Sequence, residues 1–459
     1  MPRPSFRTLF GVASLILFGG QPAWGEVPAA PSHAAGALAD YVAHHDDAYG
    51  WKVRRRGTHG QGSYAELILT SQRWRENTWR HQLFVYKPAE VRDPERALLL
   101  IGGGAWRDEL ADPATPAAPL PREAAVLTMV ADQLQTPVAL VMQVPHQPIF
   151  GDLREDAAIS YTFQEFFRTG DATWPLLLPM VKSAVRAMDC VAEFGAQEWK
   201  IAPAKFTVTG ASKRGWTTWL TAAVDPRVDC LAPMVIDMLN LDEHIKLQLT
   251  SWGRYSDEIH DYTERGLQEH LRKPDGAKLI DIVDPYRYRE SLRKPKLLLL
   301  GTNDKYWPLE SLNLYWDGLV GEKYVVYVPN NGHGLHDFAR VLGGVGALHR
   351  HAAGTLTMPK LAWQYAETPE GAQLTMRSDR KPIEVSVWRA TSASRDFRDS
   401  VWSSEPVEPR DGEYQAVTEK PAAGCAAMFC EAKYADDVLP YYLSTTIKVV
   451  DSPAKRKPR

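Results

Sequence analysis

The segment Phe206-Thr-Val-Thr-Gly210-Ala211-Ser212-Lys213-Arg214-Gly215-Trp216 has the residue types and spacing for nucleophilic chemistry. An apolar strand runs to Gly210 and Ser212 falls on the turn. A helix starts at once, with Trp216, Trp219, Leu220 and Ala223 on one face. A strand–Ser–helix turn flanked by glycines is a nucleophile elbow, tight enough to need small neighbours and to lift the hydroxyl above the sheet edge. The usual spacing is Gly-x-Ser-x-Gly. Here the second glycine comes one place late and Arg214 takes its position. The competing reading is a plain strand-to-helix turn with a capping serine.

A serine nucleophile needs a base, and the base needs an acid to orient it. Around such an elbow the chain order is Ser, then Asp or Glu, then His. The strand Lys296–Leu300 runs into Gly301-Thr-Asn-Asp304-Lys-Tyr-Trp307, which puts Asp304 in the acid's place. The strand Lys323–Val328 ends in Pro329-Asn-Asn-Gly-His333-Gly, which puts His333 in the base's place. Each residue stands just past the C-terminal end of its own strand, where open α/β sheets bind ligands. Ser212, Asp304 and His333 are therefore the expected catalytic triad. Backbone N–H groups for an oxyanion would come from Lys213 and from the turn Gly103-Gly104-Ala105-Trp106 after the strand Ala97–Ile101. A dinucleotide phosphate loop is disfavoured there, because the full Gly-x-Gly-x-x-Gly spacing and a prompt helix are missing.

The elements that must position these residues alternate. The apolar runs Glu66–Leu69, His81–Val85, Ala97–Ile101 and Val138–Val144 come first. A helix over about Pro175–Phe194 carries Leu176, Met180, Ala184 and Met188 at i+4 spacing. The strands Lys205–Thr209, Val228–Ile236, Lys296–Leu300 and Lys323–Val328 follow, with a helix expected over Glu310–Leu319. Strands alternating with helices give a largely parallel sheet covered on both faces, so the core is α/β. A mostly helical insert at about 239–293 stands where a cap would lie, with Trp252, Arg254, Tyr255 and His260 as specificity candidates. After about residue 355 helical periodicity ends and short runs recur, as in Glu384-Val-Ser-Val-Trp388. These read as a C-terminal antiparallel β-sandwich. Residues 26–355 and 356–459 are the two expected domains.

Composition excludes other classes. Of 459 residues 44% are hydrophobic, so the chain is not a disordered one. The 53 basic and 56 acidic residues leave a net charge of −3, with no concentrated cationic surface for nucleic acid. Arg3 and Arg7 precede the apolar run Leu9–Phe18, and Ala23 and Gly25 form a small-x-small end, so residues 1–25 read as a secretory signal. The run is shorter than the roughly 20 residues of a membrane span, and no other stretch is long enough. Export to the periplasm or beyond makes disulfides possible for Cys190, Cys230, Cys425 and Cys430. Cys425 and Cys430 are close enough to clip a hairpin, Cys190 and Cys230 are placed to meet, and three pairings stay open. No cofactor or metal is expected: His333-x-x-His336 lies in a glycine-containing loop.

Around the mouth of the site, Gln143, His146 and Gln147 end a central strand. They serve either to bind substrate or to tie down a loop expected from Asp152 to Trp174. Arg214, Trp216 and Trp307 complete the expected substrate-binding set.

The chain resembles the secreted, α/β-hydrolase-like PhoPQ-activated pathogenicity-related proteins. The likeness rests on Leu69-Thr-Ser-Gln-Arg-Trp-Arg, Trp79-Arg-His-Gln-Leu, Ile101-Gly-Gly-Gly, Gln143-Val-Pro-His-Gln-Pro, Gly210-Ala-Ser-Lys-Arg-Gly-Trp-Thr-Thr-Trp, Asp284-Pro-Tyr, Asp304-Lys-Tyr-Trp and Pro329-Asn-Asn-Gly-His. It spans most of residues 35–450. It implies the triad Ser212, Asp304 and His333 and a bacterial envelope or secreted protein linked to host interaction, and it supplies no substrate. Cys190 and Cys230 look like additions of this chain. The elbow is also similar to that of glucuronoyl esterases, Gly-x-Ser-Arg-x-Gly. That likeness implies charge from Lys213 or Arg214 near a carboxylate or the oxyanion, unless both side chains lie along the surface.

The sequence thus points to a serine hydrolase acting through an acyl-enzyme on an ester, or on a peptide, of small-molecule or polymer-linked type. The alternative is a retired hydrolase scaffold that serves as a binding or adhesion protein. A glycan contact through Trp388, Trp402, Tyr414, Tyr441 and Tyr442 of the C-terminal domain is a further expectation.

Overall fold

The structure, a computed structural model, describes residues 36–112, 115 and 122–453. The signal-like segment at 1–25 and the basic residues at 455–459 lie outside these. No helix among the described residues is long and apolar enough to cross a membrane.

Nine strands form the central sheet: β1 Gly50–His59, β2 Gly62–Trp74, β3 Asn77–Lys87, β4 Arg96–Ile101, β5 Val138–Val141, β6 Lys205–Ala211, β7 Val228–Met234, β8 Lys296–Gly301 and β9 Lys323–Val328. Their order is β1-β2-β3-β5-β4-β6-β7-β8-β9. The first three strands pair antiparallel, and everything from β5 through β9 is parallel. This is the α/β-hydrolase sheet. The parallel strands are aliphatic on both faces because helices cover both. Ala97, Leu99, Ile101, Phe206 and Val208 face the core shared with the helices Leu177–Phe194 and Lys213–Val224. Leu98, Leu297 and Leu299 face the opposite core, with the helices Arg122–Leu134 and Phe338–Ala352.

Several expectations change in detail. The first strand was not visible in the pattern, because Arg54 and Arg55 interrupt its apolar residues. Both turn to Glu66 of β2, at 2.9 and 2.5 Å, and that carboxylate is fully buried. The stretch from Asp152 to Trp174 is no loop: it holds the helix Glu155–Thr169, whose inner face is Ala158, Ile159, Thr162, Phe163 and Phe166. The helix expected over Glu310–Leu319 is a single short turn, Ser311–Leu314.

Past residue 355 the chain forms β10 Leu361–Glu367, β11 Gly371–Ser378, β12 Glu384–Ser392, β13 Ser403–Pro406, β14 Tyr414–Glu419, β15 Cys425–Tyr434, β16 Tyr441–Ser444 and β17 Lys448–Asp451. They make two antiparallel sheets, β10-β11-β14 and β13-β12-β15-β16 with β17 beside β15. Their cores continue into the α/β core: Tyr327 of β9 packs on Phe429, at 5.4 Å between ring centroids. The aromatics expected to meet a glycan are largely spent on this packing. Trp402, Tyr414 and Tyr441 are buried, Trp388 stacks on Phe429, and Tyr442 lies under Arg340.

The cysteines do not pair. All four are free and buried. Cys425 and Cys430 sit on one strand, β15, five residues apart. At about 3.3 Å per residue that separates them by roughly 16 Å, far beyond disulfide reach. Cys190 belongs to the core on one face of the central sheet and Cys230 to the core on the other.

Candidate active site

Ser212 links β6 to the helix Lys213–Val224 with φ 57° and ψ −125°. A non-glycine residue held there costs about 1–3 kcal/mol, and the glycines around it explain how the turn closes. A Cβ on Gly210 would lie 2.7 Å from the Arg214 carbonyl oxygen. One on Gly215 would lie 2.8 Å from that of Met234. The helix therefore makes its close approach to β7 at residue 215, and position 214 is free to carry a long side chain. The Ser212 N–H donates to the Met234 carbonyl at 2.9 Å.

Asp304 and His333 meet. His333 Nδ1 donates to Asp304 Oδ2 at 2.8 Å, and Oδ1 of the same carboxylate accepts from the Tyr306 N–H at 2.9 Å. The Tyr306 ring stacks on the imidazole, 4.2 Å between centroids. His333 Nε2 is buried and has no protein partner, and the Ser212 hydroxyl is not hydrogen-bonded to it. Ser212 and Tyr306, the residue stacked on the imidazole, both line one cavity.

The loops that carry Asp304 and His333 are held from the C-terminal region. Asn303 Nδ2 donates to the Ser400 carbonyl at 2.7 Å, and Asn330 exchanges two hydrogen bonds with the Trp402 backbone, at 2.7 and 2.9 Å. Between the loops, the Asn303 N–H donates to the Asn331 carbonyl at 2.9 Å.

Of the glycine-rich turn, the Trp106 N–H is not available to an oxyanion, because it donates to the Gln147 carbonyl at 2.7 Å. Gly103, Gly104 and Ala105 remain, along with Lys213, whose N–H opens its helix with no carbonyl one turn earlier. A Cβ on Gly103 would lie 2.7 Å from the Arg214 guanidinium, so a larger residue there would have to displace the guanidinium from its present seat.

Neither Lys213 nor Arg214 lies along the surface. The Arg214 guanidinium makes two bonds to Glu155, at 2.7 and 2.8 Å, and one to the Val144 carbonyl at 2.5 Å. The Lys213 ammonium is 2.8 Å from Asp156 and 3.5 Å from Glu155. Burial alone would raise the Glu155 carboxyl, but Arg214, Gln147 and Lys213 outweigh it and hold it at about 2. Sequence reasoning missed both acids, which come 59 and 57 residues before their cationic partners.

Of Gln143, His146 and Gln147, only Gln147 ties down the stretch after Asp152, through Glu155, while Gln143 and His146 are held by the neighbouring strand β3. Gln143 uses both ends of its amide on Gln82, at 2.8 and 2.9 Å. Gln147 Nε2 donates to Glu155 at 2.6 Å and to the Gly104 carbonyl at 3.2 Å. His146 accepts from the Arg80 N–H and packs between Trp79 and Trp106, and burial lowers its pKa.

Trp216 and Trp307 line the cavity beside Ser212, which holds about 820 Å³ of empty space, part of it open to solvent. Trp216 Nε1 donates to the Val283 carbonyl at 2.5 Å, which ties the nucleophile helix to the cap insert. The insert supplies most of the other walls from the helix Leu241–Trp252 and the short turns after it. Tyr255 takes part, whereas Arg254 pairs with Asp257 outside and Trp252 lies under Arg398. Behind Asp304 lies Asp237, fully buried, whose carboxyl accepts from Tyr315 at 2.7 Å. Burial first, and the nearby Asp304 charge, push it up to about 7.

A sequence model of the family described as PhoPQ-activated pathogenicity-related protein matches residues 38–398. The chain belongs to that family. Among curated proteins, this PhoPQ-related chain is similar to Autocrine proliferation repressor protein A of Dictyostelium discoideum. The two are 29% identical over 435 residues, which cover 86% of this chain and 85% of that one. Among solved structures it is similar to Acetyl Xylan Esterase 1 from Thermoanaerobacterium sp., with 16% identity, a TM-score of 0.46 and coverage of 68% and 91% of the two chains. It is also similar to the Glucuronoyl Esterase from Solibacter usitatus, with 15% identity, a TM-score of 0.41 and coverage of 68% and 91%.

Proposed function

We propose that this PhoPQ-related protein is a serine hydrolase that cleaves carboxylic esters through an acyl-enzyme. The observation that carries the reading is the conjunction of a strained Ser212 at a strand–helix elbow with an Asp304–His333 hydrogen bond that leaves Nε2 free. Ser212 attacks the carbonyl and His333 Nε2 takes its proton, then returns it to the leaving alcohol. Asp304 holds the imidazole with Nδ1 protonated and stabilises its charge. Lys213 N–H and the Gly103–Ala105 turn stabilise the oxyanion, and Arg214 with Glu155 keeps that turn in place. We place this activity outside the cytoplasm, in the periplasm or secreted, on the strength of the signal-like pattern at residues 1–25.

A panel of neutral esters and dipeptide amides tests the reading. Ester turnover that falls by about 10⁴-fold or more in Ser212→Ala is expected. Turnover that survives the substitution, or that is confined to the amides, contradicts it.

A further inference from the structure

The cavity beside Ser212 is made of a different material from the rest of the site. Phe163, Trp216, Ile236, Met238, Leu241 and Ile245 make up much of its wall. The cations next to Ser212 offer it no free charge: Lys213 is paired to Asp156 and Arg214 to Glu155. The Tyr262 hydroxyl also donates to Asp156, at 2.8 Å. A carboxylate in the cavity would therefore be desolvated without a partner, which is costly.

Two residues of the wall carry a polar atom without a partner. His244 Nε2 and Gln268 Oε1 are buried with no hydrogen-bond partner, on residues 2% and 5% exposed. His244 sits edge-on to Trp307, 5.2 Å between centroids, and burial pushes its pKa down to about 3, so the ring is neutral. Buried polar atoms left unpaired in this way call for a partner. The amide oxygen needs a donor and a neutral imidazole can pair with either kind of group, so together they suit a hydroxyl, not a carbonyl or an ion.

Which part of the ester enters follows from the proton's route. The leaving oxygen must lie at His333 Nε2 to be protonated, and His333 is not among the residues lining the cavity. The part left on Ser212 is the part that can occupy it.

We infer that the cavity is the acyl pocket, and that it selects an uncharged, largely apolar acyl group with a hydroxyl placed for His244 and Gln268. This rests on the serine-hydrolase reading and specifies its substrate class. Each buried methylene is worth about 0.8 kcal/mol, close to fourfold in rate if the transition state keeps the contact.

Alkyl fluorophosphonates test it without a known substrate, since the alkyl group on phosphorus takes the acyl position once Ser212 is phosphonylated and fluoride leaves. The full chain is labelled with ethyl, hexyl and 5-carboxypentyl probes. We expect the second-order rate to rise at least tenfold from ethyl to hexyl, and the carboxypentyl probe to fall well below hexyl. Ile245→Trp, checked for folding by its thermal transition, should collapse the hexyl-to-ethyl ratio. His244→Phe should weaken selection for 6-hydroxyhexyl over heptyl, a chain of matched length. Labelling of Ser212 with no chain preference, or with preference for the carboxylate, would overturn the acyl pocket alone. Failure of every probe to label the folded protein would overturn the serine-hydrolase reading, and the acyl pocket with it.

Discussion

The two sides of Ser212 are built from opposite materials. Towards the glycine-rich turn the contacts are charged and fully assigned: Arg214 to Glu155, and Gln147 to Glu155 and Gly104. Towards the cap they are mainly apolar, with the Lys213–Asp156 pair closed by Tyr262 and two polar atoms unassigned. A closed network of ion pairs holds one geometry, because moving any member strands a charge. An apolar wall tolerates different occupants of similar shape and ranks them by the area they bury. The difference suggests that the chemistry is set on the first side and the choice of substrate on the second.

Breaking the charged side should have the largest effect. Arg214→Met keeps the aliphatic length but takes the two-bond partner from Glu155, which keeps only Gln147 and the more distant Lys213, and leaves the Gly103 turn unsupported. We expect kcat to fall by about 10²-fold, comparable to loss of an oxyanion donor, with KM little changed. Steady-state kinetics on one ester decides this. A change confined to KM would mean that Arg214 binds substrate and does not position the turn.

A smaller effect is expected where the C-terminal region braces the triad loops. Asn303→Ala removes the amide that reaches Ser400 and its neighbours. The loop carrying Asp304 should loosen, with a fall in kcat of about tenfold, since displacing catalytic groups is costly even from a distance. Unchanged kcat in a folded variant would show that the β-sandwich region merely adjoins the site.

The smallest effect sharpens the assignment of charge. Asp237 has its pKa raised to about 7, above the ordinary carboxyl value of 3.8. A group whose folded pKa is raised contributes stability that is fully present below the unfolded value. That contribution is lost as pH rises through the folded value. Asp237→Asn removes this dependence, so its melting temperature should gain on that of the wild type between pH 4 and pH 8, by about 2 °C. Thermal unfolding at the two pH values measures it. The opposite trend would mean that Asp237 is ionised and shares the acid's role with Asp304.

Legibility in the sequence followed distance along the chain. The elbow was readable because strand, serine, glycines and helix are contiguous, and the late glycine at 215 follows from how the helix meets Met234. Asp304 and His333 were readable because each follows an aliphatic strand. Glu155 and Asp156 were not, since the Arg214 and Lys213 partners they meet lie more than fifty residues on, and acids opening a helix look like ordinary first-turn residues. The role of Gln143 stayed open for the same reason: its partner, Gln82, comes 61 residues earlier. The cysteines misled because closeness in sequence says nothing about direction, and an extended strand separates Cys425 from Cys430.

The most direct test of the central claim is intact-mass analysis of the purified protein after reaction with one fluorophosphonate, with peptide mapping of the adduct. The account predicts a single stoichiometric adduct on Ser212, absent in Ser212→Ala and strongly slowed in His333→Ala. No adduct in a folded protein, or one on another residue, would contradict it and turn attention to a hydrolase fold kept for binding.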